Sequence, residues 1–176
     1  MIRRLAPLLF GLCAGLALPA CGGGLPPAAP FAREGAEVDT TLPLLDGGEI
    51  DLASLRGKPL VIHFFTTWSL PAQGDLDELR AARTAEPKDS FKILGIGLDK
   101  DGYKLIAPFR DAARIDWLVA LPTSDVIAGQ SVFGNVMAEV PSTVIVDARG
   151  HVVWTHRGPL PAGVLARQLA SLHPHR

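Results

Sequence analysis

Phe64-Phe65-Thr66-Thr67-Trp68-Ser69-Leu70-Pro71-Ala72 is the stretch whose reading decides the fold. The apolar run that leads into it, Pro59 to Phe65, has the length of a strand and lacks alternation, as expected of a parallel strand covered on both faces. Ser69 is a preferred helix N-cap, and Pro71 suits a first helical turn, where its missing N–H has no partner to lose. A helix therefore starts near residue 69. Asp75, Asp77 and Glu78 are expected to stabilise its beginning with negative charge. The apolar positions Ala72, Leu76, Leu79 and Ala82 make one stripe, and Pro87 ends the helix near Glu86.

Working outward, Thr41 to Leu52 reads as a hairpin around Asp46-Gly47-Gly48. Phe91 to Leu98 is the next strand, followed by a loop from Asp99 and a helix over 104–113 that returns the chain to the sheet as a right-handed parallel unit. Residues 115–120 read as a short strand and 125–133 as a short helix. A second hairpin spans 139–147 and 151–156, and a helix over 160–172 closes the chain. The class is α/β, with a mixed central sheet flanked by helices and an N-terminal β-hairpin.

A buried strand, a Trp, x-x-Pro-x and a helix resemble the active-site segment of the thioredoxin fold, in which the motif reads Trp-Cys-x-Pro-Cys. The lead-in Leu52-Ala53-Ser54-Leu55-Arg56-Gly57-Lys58-Pro59 is similar to that of TlpA/ResA-type proteins of the thioredoxin and redoxin superfamily. Val140-Pro141-Ser142-Thr143 matches a second hallmark, the cis-proline loop that faces the Cys-x-x-Cys turn; a trans proline at a strand start is the alternative. The resemblance covers roughly residues 40–172. It departs from the family where the chemistry resides, with Ser69 at the first cysteine position and Ala72 at the second.

Thiol–disulfide exchange needs one thiolate to attack and a second thiol to resolve. Ser69 and Ala72 supply neither, so the standard exchange, peroxiredoxin and copper-chaperone mechanisms of the fold are not expected, and no catalytic residue is assigned. Asp75 stands where ResA-like proteins carry a carboxylate that tunes the thiols; without a thiol, stabilising the helix start is the better account. His63, Ser69 and Asp75 also invite a Ser-His-Asp reading, but no Gly-x-Ser-x-Gly elbow is present and a hydrogen-bonded core histidine is commoner. Trp68 either packs half-buried against the helix start or touches a partner. Trp68, Ser69, Val140 and Pro141 are the expected binding residues, for an extended segment of an envelope protein. The remaining alternatives are residual oxidoreductase or hydrolytic activity, and a passive structural subunit.

The chain has 176 residues, 48% hydrophobic and 20% charged, with a net charge of −1, which fits one domain plus an extra segment and no basic field for nucleic acid. Its two cysteines, Cys13 and Cys21, lie near the N-terminus. With His156, His173 and His175 scattered elsewhere, no metal site and no cofactor are expected.

Met1 to Ala20 reads as a signal peptide, with basic Arg3 and Arg4 ahead of an apolar stretch too short and interrupted to span a bilayer. Leu18-Pro19-Ala20-Cys21 resembles a lipobox, which implies acylation of Cys21; an ordinary secretory signal with a fortuitous cysteine is the alternative. Residues 21–38 then form the acylated cysteine and a Gly/Pro-rich tether, and residues 39–176 form the domain. Gly22 after the cysteine suits the periplasmic face of the outer membrane, by resemblance to enterobacterial sorting.

Overall fold

A computed structural model of the chain describes residues 31–172. The expected signal peptide, Cys21, the tether up to residue 30, and His173 and His175 lie outside the described residues.

The strands are β1 (Thr41–Pro43), β2 (Glu49–Asp51), β3 (Leu60–Phe65), β4 (Lys92–Gly97), β5 (Leu118–Ala120), β6 (Ser142–Val146) and β7 (Val152–Arg157). The helices are α1 (Leu70–Ala85), α2 (Tyr103–Ala112), α3 (Ser124–Ile127) and α4 (Val164–Leu172). β1 and β2 form the antiparallel N-terminal hairpin, and the other five strands form one mixed sheet in the order β5-β4-β3-β6-β7. β4 runs parallel to both β3 and β5, whereas β6 is antiparallel to β3 and to β7. This is the thioredoxin-like arrangement.

All six residues of β3 are buried. Ile62 and Phe64 point into a core shared with Leu42, Leu94, Ile96 and Phe133, while Val61 and Phe65 pack with Leu76 and Leu79 of α1 and Leu165 and Leu169 of α4. The expected α1 stripe is the buried one. β4 must lie close under α2: a Cβ on Gly97 would meet Ile106 Cδ1 at 2.4 Å, so only glycine leaves room for that helix.

Strands β5 and β6 start later than expected, at Leu118 and Ser142, and three further differences each have an identifiable reason. The helix expected over 125–133 stops at Ile127, because Gly129 takes a left-handed φ of 70° and Phe133 turns inward, edge-on to Phe64 at 5.2 Å. The last helix begins at Val164 rather than Leu160. Gly163 has a φ of 70°, and Glu78 of α1 accepts the Gly163 and Leu165 N–H groups at 2.8 and 3.1 Å, so the helix start is capped from outside.

The third difference is the tether. Residues 31–38 belong to the folded unit: Phe31 bridges Gly134, Gly35 N–H donates to the Val152 carbonyl at 2.7 Å, and Val38 N–H donates to the Gly150 carbonyl at 2.8 Å. Ala32 and Val38 are core residues. Apolar side chains spaced among polar ones are a weak signal in so short a segment, which is why a Gly/Pro composition upstream extends the expected tether too far.

Candidate functional site

The site lies at the end of the sheet where β3 and β4 terminate and β6 begins. Two clamps shape it. Beyond β3, Thr67 donates its N–H to Asp99 Oδ2 at 3.0 Å and its hydroxyl to Oδ1 at 2.7 Å, which ties the turn after β3 to the loop after β4. Leu98 N–H donates to the Phe65 carbonyl at 2.8 Å and closes the same junction. Asp99 is buried, and the sequence reading places it only at the start of a loop. An acidic residue just past a parallel strand is the signal that could have identified it.

Ser69 is the N-cap of α1, with φ −80° and ψ 109°, and its Oγ accepts from the Ala72 N–H at 3.3 Å. Ala72 is buried beneath the first turn. The two positions that carry sulfur in the motif this segment resembles thus hold a hydroxyl engaged as a helix cap and a methyl group. Residues 31–172 contain no cysteine.

Pro141 is buried and the Val140–Pro141 peptide is cis. Because Ser142 pairs with Phe64, Val140 and Pro141 lie beside the end of β3 and the turn that carries Thr66 to Ser69. The Pro141 carbonyl accepts from Gly158 N–H at 2.8 Å. Among the described residues, Val140 forms no backbone–backbone hydrogen bond. Trp68 is 73% exposed and Leu70 76%, which corrects the half-buried packing expected of Trp68.

Asp75 also departs from expectation. No acidic residue lies in the first turn of α1, and the charges expected there are committed elsewhere. Asp77 pairs with Arg80 at 3.0 Å, Glu78 caps α4, and Asp75 is 2% exposed on the inner face of the helix. Its Oδ1 accepts from Leu160 N–H at 2.8 Å, and its Oδ2 stands 4.0 Å from His63 Nε2. The other ring nitrogen, His63 Nδ1, is 3.0 Å from Thr143 Oγ1.

Burial drives this pair toward neutrality. It raises Asp75 to about 6, against the lowering effects of the Leu160 N–H and of His156, and it lowers His63 to about 4. Neither His63 nitrogen is hydrogen-bonded to Ser69, since one serves Thr143 and the other faces Asp75. The Ser-His-Asp constellation is therefore not assembled, and His63 is the hydrogen-bonded core histidine. His156 lies against Trp154, with ring centroids 5.5 Å apart, and its Nε2 is 3.0 Å from the Pro159 carbonyl. Among the described residues, no group of three or more His, Cys, Asp or Glu could hold a metal ion.

The chain is 22% identical over 125 residues to the sporulation thiol-disulfide oxidoreductase A of Bacillus subtilis (67% of this chain, 70% of that protein). It is 29% identical over 140 residues to a Mycobacterium tuberculosis protein whose name places it with the peroxiredoxins (72% of this chain, 85% of that protein). Among solved structures, a DsbF homologue from Corynebacterium diphtheriae superposes with a TM-score of 0.68 at 20% identity, covering 88% of this chain and 98% of that one. That likeness establishes the thioredoxin-like fold. Residues 35–155 match the AhpC/TSA family over most of the folded unit, and the chain belongs to that family.

Proposed function

We propose that this chain is a lipid-anchored protein of the bacterial cell envelope whose thioredoxin-like domain binds an extended polypeptide segment and performs no thiol–disulfide exchange. The observation that carries this reading is the pairing of Ser69, occupied as a helix cap, with Ala72 at the two positions where exchange needs sulfur. A hydroxyl cannot take part in S–S exchange, and no cysteine in residues 31–172 could substitute for it.

Two features beside Ser69 and Ala72 support a binding role. The backbone groups of Val140, which form no backbone–backbone hydrogen bond among the described residues, lie beside the turn bearing the exposed Trp68, so an incoming segment could add to the site by main-chain hydrogen bonds and rest a side chain on the indole. Net gains of about 1 kcal/mol per hydrogen bond, with no covalent link, give a weak and reversible complex. Anchoring through Cys21 and the envelope location rest on the lipobox-like Leu18-Pro19-Ala20-Cys21.

The test is capture from detergent-solubilised envelope by immobilised wild-type protein and by Pro141→Ala, with circular dichroism confirming that both are folded. A polypeptide retained by the wild type, lost with Pro141→Ala and unaffected by reductant is the expected result. Equal retention by both would remove the groove from the account, and release by reductant would restore disulfide chemistry.

A further inference from the structure

The exposed large apolar side chains are distributed unevenly. Six of the seven, Trp68 and Leu70 after β3, Tyr103 and Leu105 at the start of α2, Ile127 after β5 and Met137 before β6, lie at the site end of the sheet, and the seventh, Leu118, opens β5 at the opposite end. At the opposite end, the loops carry Lys58, Lys88, Asp89, Arg114 and Arg149. Exposed charges stand at the site end too, Lys100, Asp101, Lys104, Asp125 and Glu139, so what sets the apolar pole at the site end apart from the charged pole opposite is its exposed apolar side chains.

The chain also enters the fold at the apolar pole. Phe31 bridges Gly134 and lies under the Arg157 guanidinium, 4.9 Å from its ring centroid, at the end of β7 that pairs with Ser142. From there residues 35–38 run along β7 toward the charged pole. Cys21 is ten positions before Phe31. Ten residues span at most roughly 35 Å, so a lipid on Cys21 would keep the apolar pole, where the chain enters, within reach of the bilayer.

We propose that this pole docks on the membrane surface, with Trp68, Leu70 and Tyr103 seated in the headgroup region as interfacial anchors. Trp and Tyr suit that depth because each joins an apolar body to a polar tip. At this end Lys100 and Lys104 are offset by Asp101, Asp125 and Glu139, so insertion of apolar side chains rather than attraction to anionic lipid holds the domain. The groove at Val140 then opens at the membrane surface, and the segment it takes is juxtamembrane. This inference rests on the anchoring reading above.

The experiment uses the full chain purified from bacterial membranes and mixed with phosphatidylethanolamine and phosphatidylglycerol vesicles, with or without brominated acyl chains. Trp68 emission is taken as the difference between the wild type and Trp68→Phe. Bromolipid should quench it, iodide should not, and Leu70→Gln should weaken the quenching by about tenfold in apparent partition. A salt increase should change little.

The failures are separable. If the wild type sediments with vesicles and Cys21→Ser does not, but Trp68 is quenched by iodide and not by bromolipid, the anchor holds and the docking is wrong. If Trp68 is shielded from both quenchers, a protein partner or a second copy covers the pole, and the docking is again wrong. If the wild type neither sediments nor is quenched by bromolipid, both readings fall.

Discussion

At the scale of single residues, Ser69 has exchanged one role for another. In the motif this segment resembles, the position holds a nucleophile; here the side chain terminates a helix by accepting the Ala72 N–H. Ser69→Ala should cost about 1 kcal/mol of stability, as loss of an N-cap does, while Ser69→Asp should retain most of it. Urea denaturation of the three proteins checks this, and an unchanged midpoint in Ser69→Ala would contradict the capping role.

The His63–Asp75 pair makes a prediction of opposite signs. A carboxyl raised to about 6 holds its proton in the fold where the unfolded chain has lost it, so this group's contribution to stability falls as pH rises from about 4 to 6. An imidazole lowered to about 4 stays neutral in the fold where the unfolded chain is charged, so its contribution rises with pH from about 4 to 6.5. The two slopes offset each other in the wild type. Relative to the wild type, Asp75→Asn should gain stability with rising pH across this window and His63→Gln should lose it, each by on the order of 1–3 kcal/mol. Parallel profiles for all three proteins would show that the pair is not buried as described.

Much of this residue scale is legible in the sequence, though not all. The cap at Ser69, the core hydrogen bond of His63 and the absence of sulfur follow from residue type and position. The burial of Asp75 does not follow, because the 4-3-3 apolar spacing of α1 says nothing of a carboxylate set between Ala72 and Leu76 on the same inner face. Asp99 is missed for a related reason: its place just past β4 marks it as a candidate, but its partner Thr67 is 32 positions away and local pattern does not name that partner.

At the scale of elements, β4 and α2 show how one position sets a packing distance. Gly97 leaves no space for a methyl group beneath Ile106. Gly97→Ala should destabilise the domain by about 1–3 kcal/mol, as overpacking does, and Gly97→Ala with Ile106→Val should recover part of that loss. Thermal melts of the two variants decide it, and no recovery in the double variant would place the strain elsewhere. Strong periodicity makes β3, β4 and α1 readable to within a residue or so. α3 and the start of α4 are less readable, since their ends are set by Gly129 and Gly163 in left-handed backbone and by Glu78 reaching from another helix.

At the scale of the whole molecule, topology and chemistry separate. The order of strands and helices, the turn that carries Trp68 and the loop that carries Pro141 hold the form of a redox protein of the AhpC/TSA family. The cysteine sulfurs of the Trp-Cys-x-Pro-Cys motif are absent from residues 31–172. Fold was legible because hydrophobic period and punctuation are distributed over the chain. The packing of residues 31–38 and the two poles were not, because both depend on where distant loops meet. The most direct measurement is the rate of insulin reduction by dithiothreitol, with the full chain carrying Cys13→Ser and Cys21→Ser, alone and with Ser69→Cys and Ala72→Cys added. The account predicts a rate equal to the protein-free control for the first protein and an accelerated rate for the second; acceleration by the first would contradict it.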